Sequence, residues 1–406
     1  MKQNIIRVCE PDITQREIRY VTDAIKTGHI SGMAKYVGLF EKAFAKKTGV
    51  KYAISVNSGG SALFLALWGL GIRKGDEVIV PTFTMAATVF AVTQCGAKPI
   101  FVDCEANGNI DVTKIESKIT RKTKVVMPVH IYGHPCDMDE IRKLAKKHRL
   151  FVVEDAAEAQ GALYKGKIVG TLSDAACFSF YANKLVTTGE GGMIATNNKK
   201  LAEEIALLRN YYFTKQTRYL HNCLAWNMKL SSLLAALGLA QIERLDELVN
   251  KRRANAKYYN KGLASLKDQI ILPEEKKNAR SVFWMYGVVL KKERVRDKLM
   301  RYLTKNNIES RAFFIPMHNQ PLYKKYKKGK YPNSEFLGRN GLYLPSSSHL
   351  SKADKDRVIG VIKAFYINNP KPRKDIRNYE KTTIIRNIRN NMRNYKKRRK
   401  QYKNFS

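Results

Sequence analysis

The sequence predicts an α/β protein whose central sheet is mostly parallel and covered on both faces. Short apolar runs rich in Val, Ile and Phe recur between helix-like stretches, as at Glu77–Val80, Lys124–Val129 and Leu150–Val153. The pieces between them, Ile115–Ile119 and Asp139–Lys147, suit crossover helices better than hairpin turns. Near-continuous apolar strands joined by helices are the pattern of βαβ units, in which both faces of the sheet are buried.

Length and composition set the frame for these elements. The chain has 406 residues and is 44% hydrophobic, enough for a sizeable core and for two or three domains. The βαβ texture fills roughly residues 50 to 200. Near 250 it gives way to a charged helical run, Glu243–Lys261. A smaller α/β segment follows, with a strand at Val282–Leu290 and a helix around Arg294–Leu303. The expected division is a large domain over 1–250, a small C-terminal domain over 251–368 and a basic tail over 369–406. Residues 371–406 carry fourteen Lys and Arg against Asp375 and Glu380. Apolar residues at Ile376, Tyr379, Ile385, Ile388, Met392 and Tyr395 have the spacing of a basic amphipathic helix. The tail reads either as a solvated segment or as a contact for nucleic acid or an anionic membrane surface. The formal net charge of +39 attracts polyanions, but the lysines are scattered, and a lysine-rich proteome would give the same figure.

No stretch approaches the roughly 20 apolar residues that span a bilayer. The start, MKQNIIRVCEPDITQRE, lacks the apolar core of a signal peptide. Six cysteines stand far apart at 9, 95, 104, 136, 177 and 223 without a C-x-x-C pair. Neither a metal site nor a disulfide framework is expected from them. The expectation is a cytoplasmic protein with reduced thiols.

Three segments carry chemistry. In Asn57-Ser-Gly-Gly-Ser-Ala-Leu-Phe-Leu-Ala-Leu67 a small glycine-bearing turn runs straight into an apolar helix. The unpaired N–H groups and dipole of a helix start make such a turn a phosphate cradle, although Ser58 would also serve as a plain cap. In Phe151-Val-Val-Glu-Asp-Ala-Ala-Glu158 an apolar strand delivers carboxylates at its C-terminal end. Ligands of open α/β sheets bind at that edge. There Asp155 would keep a cationic ring nitrogen protonated, or would cap the next helix. The third segment is Ala176-Cys-Phe-Ser-Phe-Tyr-Ala-Asn-Lys184, followed by Thr187-Thr-Gly-Glu-Gly-Gly-Met193. Lys184 sits between an apolar strand and a tight glycine turn, where a surface lysine is not expected. Burial lowers a lysine pKa and makes the amine a usable nucleophile.

Together these segments resemble the sugar aminotransferases related to DegT, DnrJ, EryC1 and StrS. The likeness runs from about Ile13 to Ile362 and is strengthened by Val129-His-Ile-Tyr-Gly-His-Pro-Cys-Asp-Met-Asp139, Pro81-Thr-Phe-Thr84 and Leu344-Pro-Ser-Ser347. The resemblance implies the fold-type I, aspartate aminotransferase-like architecture and pyridoxal 5'-phosphate (PLP) as cofactor. It implies that Lys184 carries the cofactor, that Asp155 meets the pyridine nitrogen and that Glu158 lies near the phenolic oxygen. Ser58, Gly59, Gly60 and Ser179 would bind the phosphate, with Phe83 beside the cofactor. Trp226-Asn-Met-Lys229 matches a loop that crosses a dimer interface, so Asn227 would reach the partner's cofactor phosphate in a homodimer with shared sites. Many relatives carry Thr at the position of Gly60, Arg at that of Lys229 and Gly at that of Ala225. Dehydratases of the group replace the lysine with histidine, so Lys184 selects transamination.

Within the family the likeness points to enzymes that make GDP-perosamine from GDP-4-keto-6-deoxy-mannose, with L-glutamate as amino donor. Enzymes acting on UDP- or dTDP-4-keto-6-deoxy-glucose are the alternative. Ser31, Gly32, Arg311 and His318 are the expected sugar-nucleotide contacts. Ordinary loop polarity, or a satisfied core histidine at 318, would explain them equally well.

Overall fold

A computed structural model describes residues 4–214, 219–221 and 223–368. The expected basic tail therefore lies outside the described residues. Two helices open the chain, α1 (Gln15–Lys26) and α2 (Lys35–Thr48). The alternating region then runs β1 (Tyr52–Val56), α3 (Gly59–Gly69), β2 (Glu77–Pro81), α4 (Ala86–Gln94), β3 (Lys98–Val102), β4 (Thr123–Val126), α5 (Met138–His148) and β5 (Phe151–Asp155). A short hairpin, β6 (Leu163–Tyr164) and β7 (Lys167–Ile168), precedes β8 (Ala175–Ser179), β9 (Gly192–Thr196) and α6 (Lys199–Leu208). The expected helix at Ile115–Ile119 is instead a pair of 3₁₀ turns, Val112–Lys114 and Glu116–Lys118.

Seven strands form the main sheet in the order β1-β9-β8-β5-β4-β2-β3. The β2/β3, β2/β4, β4/β5 and β5/β8 pairs are parallel. Only β9 runs against its neighbours β8 and β1. The strands alternate sides as parallel strands must. From β8, Phe178 joins a core with Phe40 and Phe44 of α2, while Cys177 joins a second core with Leu63, Leu65 and Ala66 of α3. From β9, Met193 and Ala195 go to the first core and Ile194 to the second. Both faces are thus covered by helices, as the apolar runs require.

After α7 (Ser232–Glu243) comes α8 (Leu245–Leu263), the charged helical run. The boundary expected near residue 250 falls inside α8, so the chain leaves the large sheet through a continuous helix. Beyond it lie β10 (Ile270–Ile271), β11 (Ala279–Arg280), β12 (Tyr286–Leu290), α9 (Arg296–Lys305), β13 (Arg311–Ala312), α10 (Pro332–Asn340), β14 (Gly341–Leu344) and α11 (Lys352–Asn368). Four of these strands make an antiparallel sheet in the order β10-β12-β14-β13, and β11 pairs with the β6–β7 hairpin. The strand expected over 282–290 starts only at Tyr286, because Phe283 takes a left-handed backbone (φ 47°) that interrupts extended pairing. No helix among the described residues is long and apolar enough to cross a membrane.

Candidate active site

The carboxyl edge of the main sheet collects the polar segments. Asn57–Gly60 follows β1, Thr82–Thr84 follows β2, Asp155 ends β5 and Ser179 ends β8. Because β9 pairs on both sides, Gly192 stands opposite both Val56 and Ser179. That register brings the 57–60 turn against the end of β8. A Cβ on Gly192 would lie 2.3 Å from Ser58 O, and one on Gly59 would lie 2.7 Å from Ser179 Cβ. Both glycines are therefore required by close backbone approach. Ser58 caps α3 by accepting from Ser61 N–H at 3.1 Å, and its hydroxyl lies 3.0 Å from Ser61 Oγ. Gly60 differs: a Cβ there would meet only Ser58 Oγ, at 3.8 Å.

Asp155 is buried where β5 ends. Its Oδ2 accepts from Thr88 Oγ1 at 2.7 Å and its Oδ1 from Ala157 N–H at 3.2 Å. Burial pushes its carboxyl above the usual range, against the Thr88 and Ala157 hydrogen bonds and the Lys184 charge, which favour the anion. Thr88, on α4, is a site residue that the sequence gave no reason to select, since it is 67 positions from its partner.

Lys184 follows β8 on a turn fixed from several sides. Gln160 holds the turn through Nε2 to Ser179 O (2.6 Å) and Val186 O (3.2 Å), and accepts from Val186 N–H at 2.7 Å. The Lys184 side chain is 11% exposed, and its Nζ lies 4.0 Å from Glu158 Oε1. Burial pulls the amine below the ordinary lysine range, with Glu158, Asp155 and Cys9 opposing. Glu158 is pushed up to about 7 by burial, partly offset by the Lys184 charge and by the Tyr132 N–H that its Oε2 accepts at 2.7 Å. The Nζ also sits 3.8 Å from the centroid of the Trp284 ring. A buried lysine with a lowered pKa, two carboxylates and a glycine-lined turn converge at one sheet edge.

The family model described as the DegT/DnrJ/EryC1/StrS aminotransferase family matches residues 11–363. The chain belongs to this family. It is 44% identical over 360 residues to the GDP-perosamine synthase of Caulobacter vibrioides, covering 88% of this chain and 97% of that one. It is 39% identical over 331 residues to the dTDP-3-amino-3,4,6-trideoxy-alpha-D-glucose transaminase of Streptomyces venezuelae, covering 80% and 86%. A sugar aminotransferase of Streptococcus pneumoniae solved in its PLP form superposes with a TM-score of 0.85 at 28% identity, covering 90% and 99%. The protein is a PLP-dependent sugar aminotransferase.

The geometry fits that cofactor. Gly59 and Gly192 let the 57–60 turn close against the end of β8, which sets the N-terminus of α3 and its hydroxyl-bearing Ser58 beside Ser179. Lys184 offers a desolvated amine, and Asp155 is held by two hydrogen bonds facing the same edge. The remaining aminotransferase residues expected from sequence sit differently. Phe83 is fully buried in a ring cluster with Tyr132, Phe313 and Phe314. Asn227 is exposed and accepts from Lys229 Nζ at 2.6 Å; the same amine reaches Asn210 Oδ1 at 2.7 Å. Ser31 O accepts from Ser232 N–H at 3.1 Å, and a Cβ on Gly32 would lie 2.7 Å from Lys229 Cβ, so this turn packs on the Asn227 loop. Arg311 is exposed and pairs with Glu309 at 3.0 Å. His318 is fully buried, with Nδ1 2.7 Å from Thr82 Oγ1, Nε2 3.1 Å from Glu335 Oε1 and its ring stacked on Tyr331. Both its nitrogens are engaged internally, the arrangement of a satisfied core histidine.

Proposed function

We propose that the chain transfers an amino group from L-glutamate to C4 of GDP-4-keto-6-deoxy-mannose, giving GDP-perosamine. The observation that carries the reading is the Lys184 centre, a buried amine 4.0 Å from Glu158 beside Asp155. The sugar rests on the 44% identity to a GDP-perosamine synthase along nearly all of that relative.

Each residue has a part that follows from its surroundings. The α3 N-terminus with Ser58, Gly59 and Ser179 would hold the cofactor phosphate through N–H groups and hydroxyls. Asp155 would pair with the ring nitrogen and keep it protonated, and Glu158 would serve the phenolic oxygen. When bound, PLP supplies an electron sink for charge developing at the amine-bearing carbon. Lys184, with its pKa lowered by burial, accepts the proton from that carbon as a free amine and returns it as an ammonium. Asp155 and Glu158 are buried, and the low dielectric around them strengthens their interactions. Asn227 reaches across to the partner's phosphate in a homodimer.

The test is to incubate the protein with glutamate and a panel of GDP-, UDP- and dTDP-linked 4-keto-6-deoxy sugars, identifying products by mass and NMR. Preferential amination of GDP-4-keto-6-deoxy-mannose at C4 is expected. Preference for the UDP- or dTDP-linked glucose derivatives would overturn the substrate, and no amination of any sugar would overturn the reaction.

A further inference from the structure

Lys184 lies inside a closed ring of contacts, and one member of that ring has no role in the account above. Trp284, which precedes β12, makes two contacts of different kinds with the lysine turn. Its Nε1–H donates to Asn183 O at 2.7 Å, fixing the residue just before Lys184. Its ring centroid stands 3.8 Å from Lys184 Nζ. Trp284 is itself tied down: it is 4% exposed, and its main-chain carbonyl accepts from Arg252 Nη1 at 3.2 Å. On the far side, Trp284 N lies 3.1 Å from where a Cβ on Gly133 would sit. The 131–133 turn therefore packs directly on Trp284, and the Tyr132 N–H of that turn donates to Glu158 Oε2 at 2.7 Å. Glu158 Oε1 then faces Nζ at 4.0 Å and completes the ring.

The distances decide which neighbour supports a charge on the amine. A charge-assisted N–H···O hydrogen bond needs about 2.7–2.9 Å, so Glu158 at 4.0 Å does not make one. The indole face is at contact distance, and a cation over an aromatic face gains most where water is excluded. The other charged or titratable groups acting on Lys184 are Asp155 and Cys9. Arg252 Nη2 donates to Cys9 Sγ at 3.1 Å, and Cys9 Sγ donates to Asn183 O at 3.1 Å.

We propose that Trp284 is the positioning residue for the transamination lysine: its ring face supports the protonated amine of Lys184, and its N–H fixes the turn that presents it. The inference rests on Lys184 being the catalytic lysine. An amine that must alternate between free base and ammonium is poorly served by burial alone, which disfavours the charged form. A carboxylate in direct contact would lock the ammonium instead. A π face gives a weaker, non-covalent support that leaves the amine free to swing away and return.

The experiment uses the cofactor-free full chain, unmodified and as Trp284→Phe and Trp284→Leu. Each is exposed to limiting acetic anhydride across a pH series, and acetylation of the Lys184 peptide is followed by mass spectrometry. Only the free amine reacts, so the midpoint reports its protonation. Trp284→Phe keeps a ring face and is expected to stay near the unmodified midpoint. Trp284→Leu is expected to drop it by about one pH unit, about a ten-fold change in protonation. In the loaded enzyme, Trp284→Leu is expected to lose kcat with little change in KM, and Trp284→Phe to recover most of it. Should the Leu variant not fold, Trp284→Met keeps the bulk without the ring and takes its place. An unchanged midpoint in the ringless variant, or an equal drop in Trp284→Phe, would overturn the proposal. Turnover persisting in Lys184→Ala would instead sink the reading of Lys184 itself and leave the midpoint shift standing.

Discussion

At the scale of single residues the account depends on protonation. Lys184→Ala should lose turnover by at least about 10³-fold, because no other described amine occupies its place against Glu158 and Trp284. Steady-state rates with glutamate and the keto sugar check this. Glu158 gives a prediction with a definite sign. Its carboxyl is raised by burial from 4.5 to about 7 in the folded protein. A carboxyl raised on folding adds stability below its unfolded pKa and loses it as pH rises through the folded value. The cofactor-free protein should therefore lose stability between about pH 5 and pH 7.5, and Glu158→Gln, which cannot ionise, should remove that part of the slope. Thermal unfolding of both proteins across that range decides it; parallel slopes would count against the assignment. Lys184, Asp155, Ser58 and Ser179 were legible in the sequence because each sits where a recognisable strand ends or an apolar helix begins. Thr88 and Trp284 were not, because they reach their partners across 67 and 101 positions and carry no local pattern. His318 left two readings open in sequence, substrate contact or satisfied core histidine, because its partners Thr82 and Glu335 are 236 and 17 positions away.

At the scale of elements, the junction of β1, α3, β8 and β9 forms the proposed phosphate cradle. Gly59 and Gly60 look alike in sequence and differ in space. Gly59→Ala would put a Cβ 2.7 Å from Ser179 Cβ, so it should weaken PLP affinity by about ten-fold or more through displacement of the α3 start. A Cβ on Gly60 meets only Ser58 Oγ, at 3.8 Å, and the residue takes an ordinary helical backbone, which leaves room for Gly60→Thr to begin its side chain. That variant should fold normally and tighten PLP binding several-fold by adding a hydroxyl. Equilibrium titration of cofactor-free protein measures both, and the two glycines responding alike would contradict the cradle described. The core strands were readable because parallel strands buried on both faces are continuous apolar runs. Observed β2 and β5 fall within a residue or two of expectation. The 3₁₀ turns near Ile115 and the late start of β12 were not readable, since short turns and a left-handed Phe283 leave no periodic signal.

At the scale of the whole molecule, the family match ends at residue 363 and leaves the basic tail outside it. Removal of residues 369–406 should leave amination rates unchanged. If the tail meets anionic surfaces, its removal should also weaken salt-sensitive binding to phosphatidylserine vesicles, read by co-sedimentation. The proposed shared sites make a separate prediction. Mixing inactive Lys184→Ala with an inactive Asn227 variant should restore activity, because a mixed dimer keeps one site with both residues intact. The most direct test of the central claim is to reduce the PLP-loaded enzyme with borohydride and map the modified peptide. The account predicts a phosphopyridoxyl group on Lys184 alone among the 48 lysines of this strongly basic chain. Modification of a different lysine, with Lys184 untouched, would contradict it.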